Sequence, residues 1–207
     1  MRGAHVTHLA DVSTERRTLP IVDAVAPPER LATLRILTGT FALVYLLIRL
    51  PAFLQLADRR TGFDGVGLAA LLHSPLPGVV VDVTVVLTLI AGLGFALGWR
   101  FRITGALFAF GMLALGSYRS SWGQLLHFEN LMVLYLLILA LSPSADVWSL
   151  DARRRPDRHP SRDPTAYGWP IALASLTLVA TYVIAGVAKL RYGGFDWVLG
   201  GTLRNHV

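Results

Sequence analysis

Five apolar runs, separated by short polar or arginine-bearing links, set the pattern of this chain. They fall at about residues 31–56, 79–97, 103–118, 125–141 and 169–190, each near the roughly 20 residues that a membrane-spanning helix needs. The third run is short, and its Gly105, Gly111 and Gly116 predict tight helix packing rather than lipid contact. Gly94 and Gly98 form a small-x-x-x-small face in the second. Ser142-Pro143 stops the fourth. The link from Asp58 to Pro77 is long, and Val66–Leu72 within it reads as a short interfacial helix. Trp122, Trp169 and Trp197 fall near run ends, where interfacial aromatics belong.

The pattern predicts an all-α fold: a polytopic integral membrane helical bundle of about five transmembrane helices. Residues 1–28 are polar and closed by Pro27-Pro28. They hold no apolar core of the roughly 7–15 residues that a signal peptide carries, so they read as a cytoplasmic tail. One transmembrane domain over 29–207 follows. His5 and His8 in the tail are three apart with no third ligand nearby, so no metal site is assigned.

Composition agrees with the pattern. Of 207 residues, 54% are hydrophobic and 15% charged, against about 25% charged in soluble domains. Mean hydropathy is +0.54. A net charge of +6 alone would suit nucleic acid, but the arginines sit in the connections between apolar runs. That placement points to topology and membrane lipid, and no nucleic-acid partner is expected. The chain has no Cys, which excludes thiol catalysis, iron–sulfur clusters and thiolate zinc sites.

The links also predict an orientation. Arg2, Arg16, Arg17 and Arg30, then Arg100 and Arg102, then Arg153, Arg154, Arg155, Arg158 and Arg162 share one side if each run spans once. Arg59, Arg60, Arg119, Arg191 and Arg204 share the other. The excess places the N-terminus in the cytoplasm and the C-terminus outside.

On that topology the ionisable residues of the runs gather at the outer leaflet. Arg49 ends the first run, Asp82 begins the second, Arg119 ends the third, His127, Glu129 and Asn130 begin the fourth, and Lys189 ends the fifth. Arg35 alone lies at an inner end. Intramembrane charges usually face a bundle interior or a wet cavity, so the clustering predicts a polar pocket open to the outside. Structural alternatives stay open for each group. Arg49, Arg119 and Lys189 can snorkel to headgroups. Asp82 can cap its helix. His127 can bond to backbone. Glu129 can simply pair with Arg49 or Arg119.

The stretch Thr181–Gly201 carries the most pattern. Tyr182, Ala185, Gly186 and Lys189 recur at i, i+3, i+4 and i+7, one stripe on a helix. Lys189 is the only lysine in the chain. It is either an interfacial anchor or a functional amine.

Tyr182-x-x-Ala185-Gly186-x-x-Lys189-Leu190, then Trp197-x-x-Gly200, resembles the signature of the vitamin K-dependent gamma-carboxylase-like membrane domain, the horizontally transferred transmembrane (HTTM) domain. Ser121-Trp122 followed by His127 resembles the family's polar helix start. Trp148-Ser149-Leu150-Asp151 resembles its W-S-[LV]-D link, and Arg35 the arginine that opens its first helix. The likeness runs over about Arg30–Gly201. An A-G-x-x-K-L motif also occurs in the small DoxX-type membrane proteins, but near the start of the chain.

The resemblance implies a chemistry. In the carboxylases the matching lysine is thought to act as base toward vitamin K hydroquinone. Oxygenation yields a stronger base that takes a proton from the gamma carbon of a glutamyl side chain. Carbon dioxide adds to the carbanion, and the quinone leaves as its epoxide. Lys189 matches that lysine and His127 the family's histidine, both as catalytic residues, with a reduced vitamin K-type quinone as the implied cofactor. Tyr182, Glu129, Asn130, Arg49, Asp82 and Trp197 are the expected pocket. A lysine buried in such a bundle would lose hydration of its charged form and offer a free amine. Two departures are visible. The carboxylases carry a further span and a large soluble part, so the chain reads either as a fragment or as a reduced member. Ala188 stands where they have a second lysine. Protein glutamate carboxylation is therefore not expected. Two function classes remain: a quinol-linked carboxylase- or epoxidase-like enzyme, and a non-catalytic membrane subunit or scaffold whose polar groups lock helices. A transporter is disfavoured by the lack of a visible internal repeat.

Overall fold

A computed structural model describes residues 23–59, 61–123, 127–155 and 163–198, without the side chains of 127, 128, 193 and 195–198. Among these residues there is helix and no strand. The elements are α1 (Pro28–Ile48), α2 (Leu50–Leu54), α3 (Gly78–Leu97), α4 (Phe101–Ser120), α5 (His127–Ala140), α6 (Leu150–Arg153) and α7 (Thr165–Val198). α1, α3, α4 and residues Thr165–Tyr192 of α7 are each long and apolar enough to cross a membrane. α5 has 14 residues, or about 21 Å at 1.5 Å per residue.

Several helices differ in extent from the stretches that predicted them. The first run divides: α1 ends at Ile48, Arg49 leaves helical geometry at φ −89°, ψ 2°, and α2 restarts with Pro51 in its first turn. Proline tolerates a first turn because its missing N–H would be unpaired there anyway. α4 is longer than its run, at 20 residues. Val66–Leu72 holds a 3₁₀ helix, Gly67–Leu71, with Leu71 75% exposed.

α1, α3, α4 and α5 form the bundle, and Leu46, Val85, Phe95, Phe108 and Leu136 fill its centre with no exposure. Small residues set the helix separations. A Cβ on Gly111 of α4 would collide with the Thr88 hydroxyl of α3, and Gly105 faces Ala140 of α5. α7 stands apart. Its first turns are packed, with Tyr167 1% and Ala174 5% exposed. Yet only 6% of its most apolar window is buried, against 33–44% for α1, α3 and α4. Residues 181–187 and 189–192 are all exposed. The helix is broken at Gly194, whose φ is 53° and ψ −150°.

The bundle has two ends. The start of α1 and the α3–α4 and α5–α6 links make the entry end. The last turns of α1 and α4 and the start of α5 make the far end.

At the entry end a single guanidinium ties three segments together. Arg35 is fully buried. Its Nη1 donates to Phe95 O (3.1 Å) and Ala96 O (3.3 Å), and its Nη2 to Trp148 O (2.7 Å). The first two carbonyls belong to the last turn of α3, where a cation offsets the helix dipole. Gly98 ends α3 at φ 64°, with Trp99 N bonded to Gly94 O (2.9 Å) in a Schellman-type cap. A side chain at Gly98 would strike Arg35 and Ser149. Ser149 Oγ caps α6 by accepting from Ala152 N (2.9 Å). Asp151 accepts from Arg100 N (2.9 Å) and Phe101 N (2.8 Å) and so caps α4. Arg35 and the Trp148–Asp151 segment, set apart by sequence, thus form one structural knot.

Candidate functional site

The far end holds the other buried charge, Glu129, with a half-buried arginine beside it. Glu129 stands in the first turn of α5 and Arg119 in the last turn of α4, an anion at a helix start and a cation at a helix end. They form an ion pair at 2.7 Å with side chains only 6% and 16% exposed. Tyr45 of α1 closes the set. Arg119 Nη1 donates to its hydroxyl (2.9 Å), and that hydroxyl donates to Glu129 Oε1. The guanidinium lies 5.6 Å over the Phe53 ring of α2. Four helices therefore hold one carboxylate in place.

Among the described residues, the hydrogen bonds to Glu129 all end on Oε1. Oε2 faces Gly116, whose missing side chain leaves that side open. Beside it lies a cavity of 460 Å³. Glu129, Asn130, Ser117 and Ser120 give the cavity its polar groups, and Leu113, Val133 and Leu137 are among its apolar walls. This volume falls within the roughly 300–1,000 Å³ of small-molecule sites.

The 58–77 connection forms the roof. Val66 N donates to Ser121 Oγ (3.0 Å), Leu68 N to Ser117 Oγ (3.3 Å) and Leu76 N to Tyr118 OH (3.2 Å). Phe63 packs on Tyr118 and Trp122 with ring centroids 5.7 and 5.4 Å away. Trp122 is thus drawn into the protein at this end.

Of the expected pocket residues, the structure brings Glu129 and Asn130 to this cavity. Glu129 turns inward, at 5% exposed, while Asn130 is exposed at the rim. Arg49 is exposed at the α1–α2 break, and Asp82 is half-buried at the fifth position of α3. Tyr182 is 73% exposed and Lys189 is exposed, both on the outlying half of α7. Neither lines this cavity. The His127 and Trp197 side chains, like His5 and His8, lie outside the described residues. No cluster of three His, Asp or Glu suited to a metal occurs among the described residues.

Tyr45 escaped sequence reasoning, as did Ser117, Ser120 and Gly67. A phenol in the last turn of an apolar helix, four residues before Arg49, was the available signal. Of the α4 hydroxyls, Ser117 sits two residues before Arg119 and Ser120 directly after it, where a run end looks merely polar.

At the start of α7, outside the span, the Asp163 carboxylate accepts from Thr165 N (2.9 Å) and Thr165 Oγ1 (2.6 Å). These bonds hold it below the ordinary aspartate value.

No curated protein and no solved structure matches this chain. A family model, the HTTM domain, matches residues 26–207, from two residues before α1 to the last residue. With four helices able to cross a membrane, the chain is a helical membrane protein, and it belongs to the HTTM domain family.

Proposed function

We propose that the far-end cavity binds the polar head of a membrane-dissolved amphiphile, a quinol or a hydroxyl-bearing lipid. Glu129 would be its hydrogen-bond acceptor. The observation that carries this reading is the Oε2 side of Glu129, turned toward an open 460 Å³ cavity while Oε1 is engaged by Tyr45 and Arg119. A carboxylate so held is pre-oriented toward a ligand hydroxyl. Asn130, Ser117 and Ser120 add donors and acceptors, and the apolar walls suit a ring or chain. With the excess of arginines at the entry end, this cavity lies toward the outer leaflet, the N-terminus is cytoplasmic and the C-terminus external.

In its enzymatic form the reading is quinol-linked carboxylase- or epoxidase-like chemistry, with Lys189 as base and His127 beside it. About 24 residues separate Lys189 from Thr165, roughly 36 Å along a helix, which carries the amine away from the entry end. Lys189 is exposed on α7 and outside the cavity, so this chemistry would need something packed against α7 to build a site around the amine. A second reading is favoured by the closed bonding of Tyr45, Arg119 and Glu129: a non-catalytic membrane subunit in which the three only lock helices together.

Mass spectrometry of the gently extracted protein tests these readings. Wild type, Glu129→Gln and Lys189→Ala are compared for co-purifying quinone or lipid. Quinone in wild type that is lost from a folded Glu129→Gln supports the cavity. Quinone or lipid equally present in all three, or absent from all three, overturns it in favour of the structural subunit. Where turnover is found, Lys189→Arg keeps the charge but cannot act as a base near neutral pH. Unchanged turnover would remove the catalytic assignment of Lys189.

A further inference from the structure

A second cavity lies at the entry end, far from Glu129. It is an open cleft of 750 Å³ between the start of α4 and the α5–α6 link. Arg100, Arg102 and Arg155 line it, with Asp146 and Asp151. The carboxylates are already occupied. Asp151 caps α4 with both oxygens, and Asp146 Oδ2 accepts from Tyr167 OH at 3.0 Å. The arginines are not. All three are exposed, and among the described residues none lies in an ion pair. Arg100 rests 5.8 Å over the ring of Trp99. The cleft thus presents three exposed guanidiniums beside two carboxylates that each already accept a hydrogen bond from the protein.

Its rim is apolar. Ile103 of α4 is 56% exposed and Leu141, just after α5, 80%. Ile103 continues the exposed apolar face of α4 that Leu107 and Phe110 form. A soluble phosphate would use the cations and leave this rim in water. A phospholipid uses both.

We infer that this cleft binds the phosphodiester headgroup of an anionic phospholipid, with its acyl chains lying along Ile103 and Leu141. Guanidinium matches phosphate oxygens with paired, charge-assisted hydrogen bonds. Basic residues beside a membrane span are drawn to anionic lipid in the same way. The inference rests on the membrane character of the chain and not on the far-end reading, so either can fail alone.

The test uses the full chain in phosphatidylcholine nanodiscs doped with phosphatidylglycerol, with the lipid retained on extraction measured by native mass spectrometry. Wild type should retain phosphatidylglycerol in preference to phosphatidylcholine. Arg102→Gln with Arg155→Gln should lower that preference by roughly tenfold or more, as loss of two arginines at an anionic surface implies. Arg30→Gln with Arg153→Gln removes the same charge at the same end from exposed positions outside the cleft and should keep the preference. Thermal midpoints of the variants in phosphatidylcholine alone check that both fold. Equal retention by wild type and the cleft variant overturns the proposal. So does an equal loss in both double variants, which would make the effect one of general charge. Displacement by millimolar inorganic phosphate as effective as by added phosphatidylglycerol would make this a free-phosphate site and overturn the lipid assignment.

Discussion

Each end of the bundle draws in an arginine, Arg35 fully buried and Arg119 half-buried, and the two behave differently. Arg35 spends its bonds on backbone carbonyls of α3 and of the α5–α6 link. Arg35 itself does not line the entry-end cleft. Arg119 bonds instead to side chains, Tyr45 and Glu129, and leaves one carboxylate oxygen beside open space. Buried polar groups require partners. Where backbone supplies them, the charge is a structural clasp. Where side chains supply them around a cavity, the same chemistry can also meet a ligand.

The sharpest way to break this contrast is at Arg35. Arg35→Ala removes three bonds from a charged donor and leaves a void, and should cost about 4 kcal/mol. The thermal midpoint of the detergent-extracted protein measures it, and a loss below about 1 kcal/mol would deny the clasp. Next is the far end. Glu129→Gln strands Arg119 and should cost about 3 kcal/mol. Replacing the whole set, Arg119→Leu with Glu129→Leu and Tyr45→Phe, should recover most of that stability without restoring ligand retention. Recovery of both would make the far end as purely structural as the entry end.

A smaller effect is expected at Asp151. Asp151→Asn weakens the cap on α4 and should cost about 1 kcal/mol, with faster amide exchange at Arg100 and Phe101 and no change in far-end ligand retention. The smallest is at Asp163, which is fully exposed. Its carboxyl is lowered by Thr165, so its support of the α7 start is complete above the ordinary value of 3.8 and fades as pH falls through the lowered folded value. Amide exchange at Thr165, followed as pH is lowered, should therefore rise in wild type. In Asp163→Asn that particular dependence should vanish.

Much of this was open to sequence reasoning because membrane burial is read from long apolar runs. Pairing the starts and ends of successive runs put Arg119 and Glu129 together at one end and Arg35 at the other. Helix extent was less accessible. The run through residue 56 looked continuous because Arg49-Leu50-Pro51 interrupts it by one residue only.

Hydropathy and run order alone determined an all-helical membrane bundle with charges sorted to its ends. They did so because placing a polar group in hydrocarbon is costly at any helix rotation. Only the tertiary structure decided that Glu129 pairs with Arg119 rather than Arg49, that Tyr45 joins them, and that Lys189 faces outward. Those outcomes depend on the rotation of each helix and on which helices touch. That is set by contacts as particular as Gly111 against Thr88 and Gly98 against Arg35. A glycine's spacing along the chain does not reveal which neighbour will occupy the space it leaves.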